Sequence, residues 1–142
     1  MLDANRIDLA KHRLSTSLDD YIAACNLMNN KQYRAANNRA YYTMFHAIRA
    51  VLALEGKDFK KHSAVTSYFI QQYINTGIFN KEFTTIITKV SMIRNESDYD
   101  DFFIANKLQT QTQIESVKIF YDAIEEYTNK CCNTDSAEAS PD

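Results

Sequence analysis

Glycine and proline are almost missing from this chain of 142 residues, which has two glycines, Gly56 and Gly77, and one proline, Pro141. An all-β protein needs many turn residues of these types, so their scarcity argues against that class, and almost nothing before residue 130 breaks a helix. Long apolar runs are missing too. No stretch approaches the roughly 18–20 apolar residues of a membrane span. The start, Met1-Leu2-Asp3-Ala4-Asn5-Arg6, lacks the apolar core of a signal peptide, so a cytoplasmic chain with no membrane contact is expected. Cys25, Cys131 and Cys132 have no framework spacing and read as reduced thiols. A net charge of −2 gives no reason to expect a strongly basic nucleic-acid binder. With two distant glycines there is no G-x-x-x-x-G-K-[ST], G-x-G-x-x-G or G-x-S-x-G, which excludes nucleotide handling by a glycine-rich loop. No H-E-x-x-H or Cys/His spacing marks a zinc site, so neither a metal nor a cofactor is expected.

What is present is helical periodicity and aromatic side chains. The length suits one domain with one core. Leu14, Leu18, Tyr21, Cys25 and Met28 share one face of a helix predicted over residues 2–28, which Asn29 and Asn30 end. A second helix over 31–55 carries Tyr33, Ala36, Ala40, Met44, Ala47, Val51 and Leu54 on one stripe, with Gly56 as its C-cap. A shorter one over 62–75 places Val65, Phe69 and Tyr73 together and stops before Gly77. A fourth begins near Asn80 and fades at Ser97; residues 98–105 form an acidic and aromatic connection. The last, over 106–129, buries Ile114, Val117, Tyr121 and Ile124. The expected fold is all-α: an antiparallel up-and-down bundle of four main helices plus a short one over residues 1–129, followed by a disordered polar tail at 130–142. Nine tyrosines and eight phenylalanines can fill such a core and reach its edges. Residues 1–62 carry ten Lys/Arg against six Asp/Glu, and residues 63–142 six against twelve. That asymmetry suits partner contacts or is simply two solvated faces of unequal sign.

Two groups of residues could carry chemistry. Arg39, Tyr42, His46 and Arg49 lie at spacings of three, four and three on the second helix and so project from one side. Arginine offers planar donors to phosphate oxygens, tyrosine a stacking face, and histidine a proton near neutral pH, so this face could hold a substrate phosphate. Equally, Tyr42 and His46 could fill gaps between helices while the arginines reach solvent. The second group closes the fourth helix: Arg94 follows an apolar stripe, and Asn95, Ser97, Asp98 and Tyr99 are all hydrogen-bonding types. Here too a structural role is available, with Arg94 complementing the helix C-terminus and pairing with Glu96, Asp98 or Asp100.

The strings Tyr33-Arg34-Ala35-Ala36, Arg39-Ala40-Tyr41-Tyr42-Thr43-Met44-Phe45-His46-Ala47, Lys61-His62-Ser63 and Arg94-Asn95 with Asp98-Tyr99 together resemble the small stand-alone HEPN-domain proteins of bacteria and archaea. The resemblance spans nearly the whole bundle. It implies a compact helical bundle that usually forms a homodimer and is often encoded beside a minimal nucleotidyltransferase antitoxin in a toxin-antitoxin or defence system. Active members of that family are metal-independent endoribonucleases whose signature is an Arg, four to six residues, then a His, with two copies facing each other across the dimer. Arg94 and Asn95 match. Tyr99 stands where the His is expected, giving an R-N-x-x-D-Y form, and no His follows His62. Cleavage through the 2′-hydroxyl needs an acid and a base near neutral pH, which His supplies at about 6.5 and Tyr at about 10 does not.

Three functions remain open from the sequence. In the first, an RNA-directed toxin, Arg94 holds the scissile phosphate, Asn95 orients it, Asp98 or His46 is the base, Tyr99 donates a hydrogen bond, and Arg39, Tyr42, His46 and Arg49 bind substrate. In the second, the same groove is a non-catalytic module that binds a nucleotide or the nucleotidyltransferase partner, with Tyr99 the tyrosine such a partner would modify. In the third, the bundle is a scaffold with no site.

Overall fold

The computed structural model describes the backbone of residues 3–139 and the side chains of residues 3–133. Among these residues there are five α-helices and no strand: α1 (Ala4–Asn29), α2 (Tyr33–Glu55), α3 (His62–Phe69), α4 (Glu82–Tyr99) and α5 (Lys107–Ala139). None is long and apolar enough to cross a membrane. No disulfide joins the cysteines.

Local chemistry explains the boundaries. The Asp3 carboxylate accepts the Asn5 backbone N–H at 2.8 Å and caps α1. The three residues between α1 and α2 turn the chain back at once, with Lys31 at a φ of +62° that few side-chain-bearing residues adopt. Gly56 ends α2 at φ +71°, where only glycine is free of a Cβ penalty, as its position after the second stripe predicted. The Asn106 side chain accepts the Gln109 N–H at 2.8 Å and opens α5.

The centre of the bundle is α2, which packs against α1, α3, α4 and α5. Fourteen of its 23 residues are buried, including the unbroken run from Ala50 to Leu54. A stretch buried on all sides for more than a full turn places its helix in the middle, not on a flank. The fully buried alanines Ala10, Ala24, Ala36, Ala40, Ala47 and Ala50 leave room for helices to approach closely. Behind α2 the rings of Phe69, Phe79, Phe83 and Phe120 pack at centroid distances of 5.2–5.9 Å.

Three expectations need correction. The disordered tail expected from residue 130 is wrong up to Ala139: α5 continues through Cys131 and Cys132, and Cys132 is buried beside Ala10, Ala53 and Leu54, a second small core that rewards the extra turns. Pro141 lies outside the described residues. The predicted third helix is two pieces, because one π-turn at Ile70–Ile74, closed by Asn75 N–H to the Ile70 carbonyl at 2.8 Å, follows α3. On α1 the innermost line is Ala10, Leu14, Ser17, Asp20 and Ala24, whereas Leu18, Tyr21, Cys25 and Met28 are half-buried at its edge. Two polar residues, Ser17 and Asp20, therefore face inward, and Asp20 faces the site.

Candidate functional site

Asn38, Tyr42, His46 and Arg49 run along one side of α2, with Tyr41 and Phe45 beside them. The end of α4 crosses this face. The crossing is fixed by a buried pair, Asn37 donating its amide N–H to Ser97 Oγ at 3.1 Å. Because α4 runs to Tyr99 and does not stop at Ser97, Arg94 and Asp98 are one helical turn apart on the same side.

Arg94 is the hub. Its guanidinium carbon lies 4.8 Å from the Tyr41 ring centroid, 5.6 Å from that of Tyr42 and 5.5 Å from that of Tyr99, a cation ringed by aromatic faces. One terminal N–H donates to Tyr42 Oη at 3.3 Å and the other to Asn95 Oδ1 at 3.4 Å. Arg94 Nε is 3.0 Å from Asp98 Oδ2, but its N–H is not directed at a hydrogen-bond acceptor, so this is a charge contact and not an aligned bond. Asp98 is held from its other side by the Asn38 amide, which donates to the same Oδ2 at 2.9 Å.

A second cluster adjoins this one. Asn38 Oδ1 accepts from Arg39 at 2.7 and 3.1 Å, and Arg39 donates to Asp20 Oδ1 at 2.9 Å. Asp20 Oδ2 is buried with no hydrogen-bond partner among the described residues and sits 3.8 Å from His46 Nε2. Burial raises the Asp20 carboxyl above its ordinary range even though Arg39 pulls the other way. Burial also lowers His46, and Arg49, Arg39 and Arg13 add to the effect against the opposing pull of Asp20. His46 is therefore neutral at pH 7, and its contact with Asp20 is dipolar, not an ion pair. Tyr42 stacks between the clusters, 5.7 Å from the His46 ring and 4.9 Å from the Arg39 guanidinium carbon.

The structure thus gathers Asn95, Asp98 and Tyr99 around Arg94, which itself reaches Tyr42, and joins them through Asn38 and Arg39 to Asp20 and His46. Arg49 is not part of this gathering. It donates to Asp58 Oδ2 at 2.9 Å, in the α2–α3 connection, together with Arg13 at 3.3 Å. Tyr99 is 72% exposed, so only its ring face meets Arg94.

Sequence reasoning overlooked Asp20, Asn37, Asn38 and Tyr41 as parts of the site, and gave His62 no role. His62 opens α3 with its Nδ1 3.0 Å from Tyr41 Oη and its ring 4.1 Å from that of Phe45. Its imidazole is lowered by burial, then by Arg94 and Arg49. The Tyr41 phenol is pushed up to about 12 by burial, against the pull of Arg94. A signal existed for Asn38, which lies one turn before Tyr42 on the stripe; none existed for Asp20, whose partners are 19 and 26 residues away. Among the described residues no three His, Cys, Asp or Glu side chains gather as metal ligands.

A UPF0332 protein of Thermotoga maritima is 31% identical over 119 residues, spanning 84% of this chain and 88% of that protein. Two proteins of Methanocaldococcus jannaschii, each named "Putative toxin", are 33% and 30% identical over 117 and 105 residues, covering 82% and 74% of this chain and 77% and 71% of their own lengths. The HEPN domain family matches residues 10–127, a span that contains α2, α3 and α4 whole and α1 from Ala10 onward, and the chain belongs to that family.

Proposed function

We propose that this protein is the RNA-directed member of a toxin-antitoxin type pair, a metal-independent endoribonuclease that takes hold of an RNA phosphate at Arg94. The carrying observation is the state of that side chain. It is mostly covered, ringed by three tyrosine faces, and neutralised by one carboxylate, Asp98, in a contact that is close but poorly aligned. An oxygen anion already occupies the position that a phosphate oxygen would take, and a planar guanidinium accommodates a second anion through its remaining N–H groups. The similarity to the two proteins named as toxins supports the biological setting. Tyr99, 72% exposed, adds a stacking surface for an unpaired base. Asn95 orients the phosphate, Tyr99 donates a hydrogen bond to it, and Arg39 adds positive charge beside it. The reaction uses two protomers, so that two clefts face one RNA strand.

The test compares the purified protein with an Arg94→Ala variant on a mixed RNA pool in the presence of EDTA. The expected loss is on the order of 10²–10³-fold, typical of removing one group that stabilises developing negative charge. Equal, undetectable cleavage by both proteins would end the ribonuclease reading.

One observation favours a second reading. Position 99, where the resemblance calls for histidine, is a tyrosine lying 72% exposed at a helix end. A non-catalytic module that docks a nucleotidyltransferase partner would present such a side chain for modification. Under that reading Arg94→Ala weakens partner or nucleotide binding in a calorimetric titration, and intact mass after co-expression reports an adduct on the wild-type chain that Tyr99→Phe lacks.

A further inference from the structure

The Arg94 segment contains no histidine, and of the two bases that the sequence offered neither is well placed. Asp98 is committed to Arg94 and Asn38. His46 Nε2 faces Asp20 on the far side of Tyr42. We propose that His62, brought from the start of α3, is the proton-accepting group of the Arg94 cleft, and that Tyr41 positions it; this rests on the ribonuclease reading above.

The geometry is that of an oriented base. Arg94 and His62 share both tyrosines: Arg94 lies over the Tyr41 and Tyr42 rings, and the His62 ring lies 6.0 Å from the first and 6.1 Å, edge to face, from the second. Phe45 closes one side of the imidazole at 4.1 Å. The 3.0 Å contact with Tyr41 Oη fixes the ring, and in the tautomer that carries its proton on Nδ1, donating to that oxygen, the Nε2 lone pair is left to work. Tyr41 is suited to the task because burial keeps its phenol protonated to about pH 12. It never becomes a counter-anion, so the imidazole stays neutral at pH 7 and ready to accept. The charged and titratable groups around His62 are Tyr41, Tyr42 and Arg49 on α2, Arg94 on α4, and its own neighbour Lys61; Asp58 in the preceding connection is held by Arg49 and Arg13. The surroundings are cationic until an anion arrives, so a phosphate bound at Arg94 raises the proton affinity of the very group that must take the proton.

In the step itself, the RNA 2′-hydroxyl gives its proton to His62 Nε2 while its oxygen forms a bond to phosphorus. The bond from phosphorus to the 5′-oxygen breaks, and that oxygen takes a proton from water. The products are a 2′,3′-cyclic phosphate and a 5′-hydroxyl end, and the imidazolium returns its proton to solvent.

The experiment follows cleavage of a short RNA from pH 5 to 9 by wild type, His62→Gln and Arg94→Ala, with binding measured on the same RNA carrying a 2′-deoxy sugar at the scissile position. Loss of a general base is worth about 10²–10⁴-fold. His62→Gln is expected to fall at least ~100-fold at pH 7 and to lose the acid limb of the profile, while its binding stays within twofold and Arg94→Ala loses binding as well. Independently, imidazole NMR of the intact wild-type chain with uridine 3′-monophosphate as probe is expected to show the His62 titration moving to higher pH, a response absent in Arg94→Ala. If His62→Gln cleaves at the wild-type rate with the wild-type pH profile while Arg94→Ala is inactive, the His62 proposal is overturned and the ribonuclease reading stands. If the wild type leaves RNA intact, both fall. A His62 titration unmoved by a nucleotide that does shift the Tyr42 or Arg94 signals also overturns the proposal.

Discussion

Two places in this bundle gather tyrosines around a single charged side chain, and they do so in opposite senses. At the end of α2, Glu55 accepts hydrogen bonds from Tyr68 Oη at 2.6 Å and from Tyr73 Oη, so both phenols point their hydroxyls at the charge. At the end of α4, Tyr41, Tyr42 and Tyr99 offer ring faces to Arg94, and only Tyr42 also reaches it with its hydroxyl. An anion satisfied by O–H donors is the more closed arrangement, because each of its oxygens has a donor and one of those donors is backed by rings: Tyr73 lies 5.3 Å from Phe69, which lies 5.9 Å from Phe120. A cation held by ring faces keeps N–H groups for something else. The first cluster therefore holds the fold together, and the second can take a ligand.

The largest expected effect tests the closed side. Phe120 is fully buried, and Phe120→Ala should lower unfolding free energy by about 3–5 kcal/mol in urea titration. Measured per folded molecule, RNA binding should not change, and a loss of binding beyond the folded fraction would break the distinction between the two clusters. Tyr73→Phe removes one of the two donors to Glu55 and should cost about 1.5 kcal/mol, the scale of a hydrogen bond to a charged group. No measurable change would mean that Glu55 is satisfied by Tyr68 alone.

The smallest effect is a pH dependence on the open side. His46 in the folded state lies below its ordinary value, first through burial. Between the two values the unfolded chain binds more protons, so the contribution of neutral His46 is fully present above about pH 6.5 and is lost as pH falls through that value toward the folded one. His62, more exposed, adds the same sign. Asp20 acts oppositely: its raised carboxyl makes a contribution present at acid pH that is lost as pH rises above the ordinary carboxylate range. The urea midpoint should therefore fall between pH 7.5 and 5.5, and His46→Gln should flatten that slope. A slope unchanged in the variant would assign the titration elsewhere.

Much of the scaffold was legible because local chemistry decides it. Gly56 after a long apolar stripe marks a helix end in any context, and Asn106 before a periodic segment marks a start. The stop at residue 129 was misjudged because Lys130, Asn133 and their neighbours are polar, while the surface that makes the extension worthwhile, Ala10 and Ala53, comes from two distant helices. The π-turn after Phe69 left no mark in the spacing, since Val65, Phe69 and Tyr73 fit an α-helix equally well. For the site, Arg94 with Asn95, Ser97, Asp98 and Tyr99 was visible as a helix-end cluster of polar types. Asp20 and His62 were not, because an Asp beside a second one, Asp19, and a lone His at a helix start look like surface residues until each meets α2.

Asn38 carries a consequence of its own. Its amide takes hydrogen bonds from Arg39 with the oxygen and gives one to Asp98 with the nitrogen, so charges alternate without a break from Asp20 on α1 through Arg39 to Asp98 and Arg94 on α4. An anion that displaces Asp98 from Arg94 leaves that carboxylate leaning on Asn38 alone, and the cost is shared with Arg39 and Asp20. Such sharing is reciprocal: protonation of Asp20 changes the affinity of Arg94 for an anion by the same factor that the anion changes the proton affinity of Asp20.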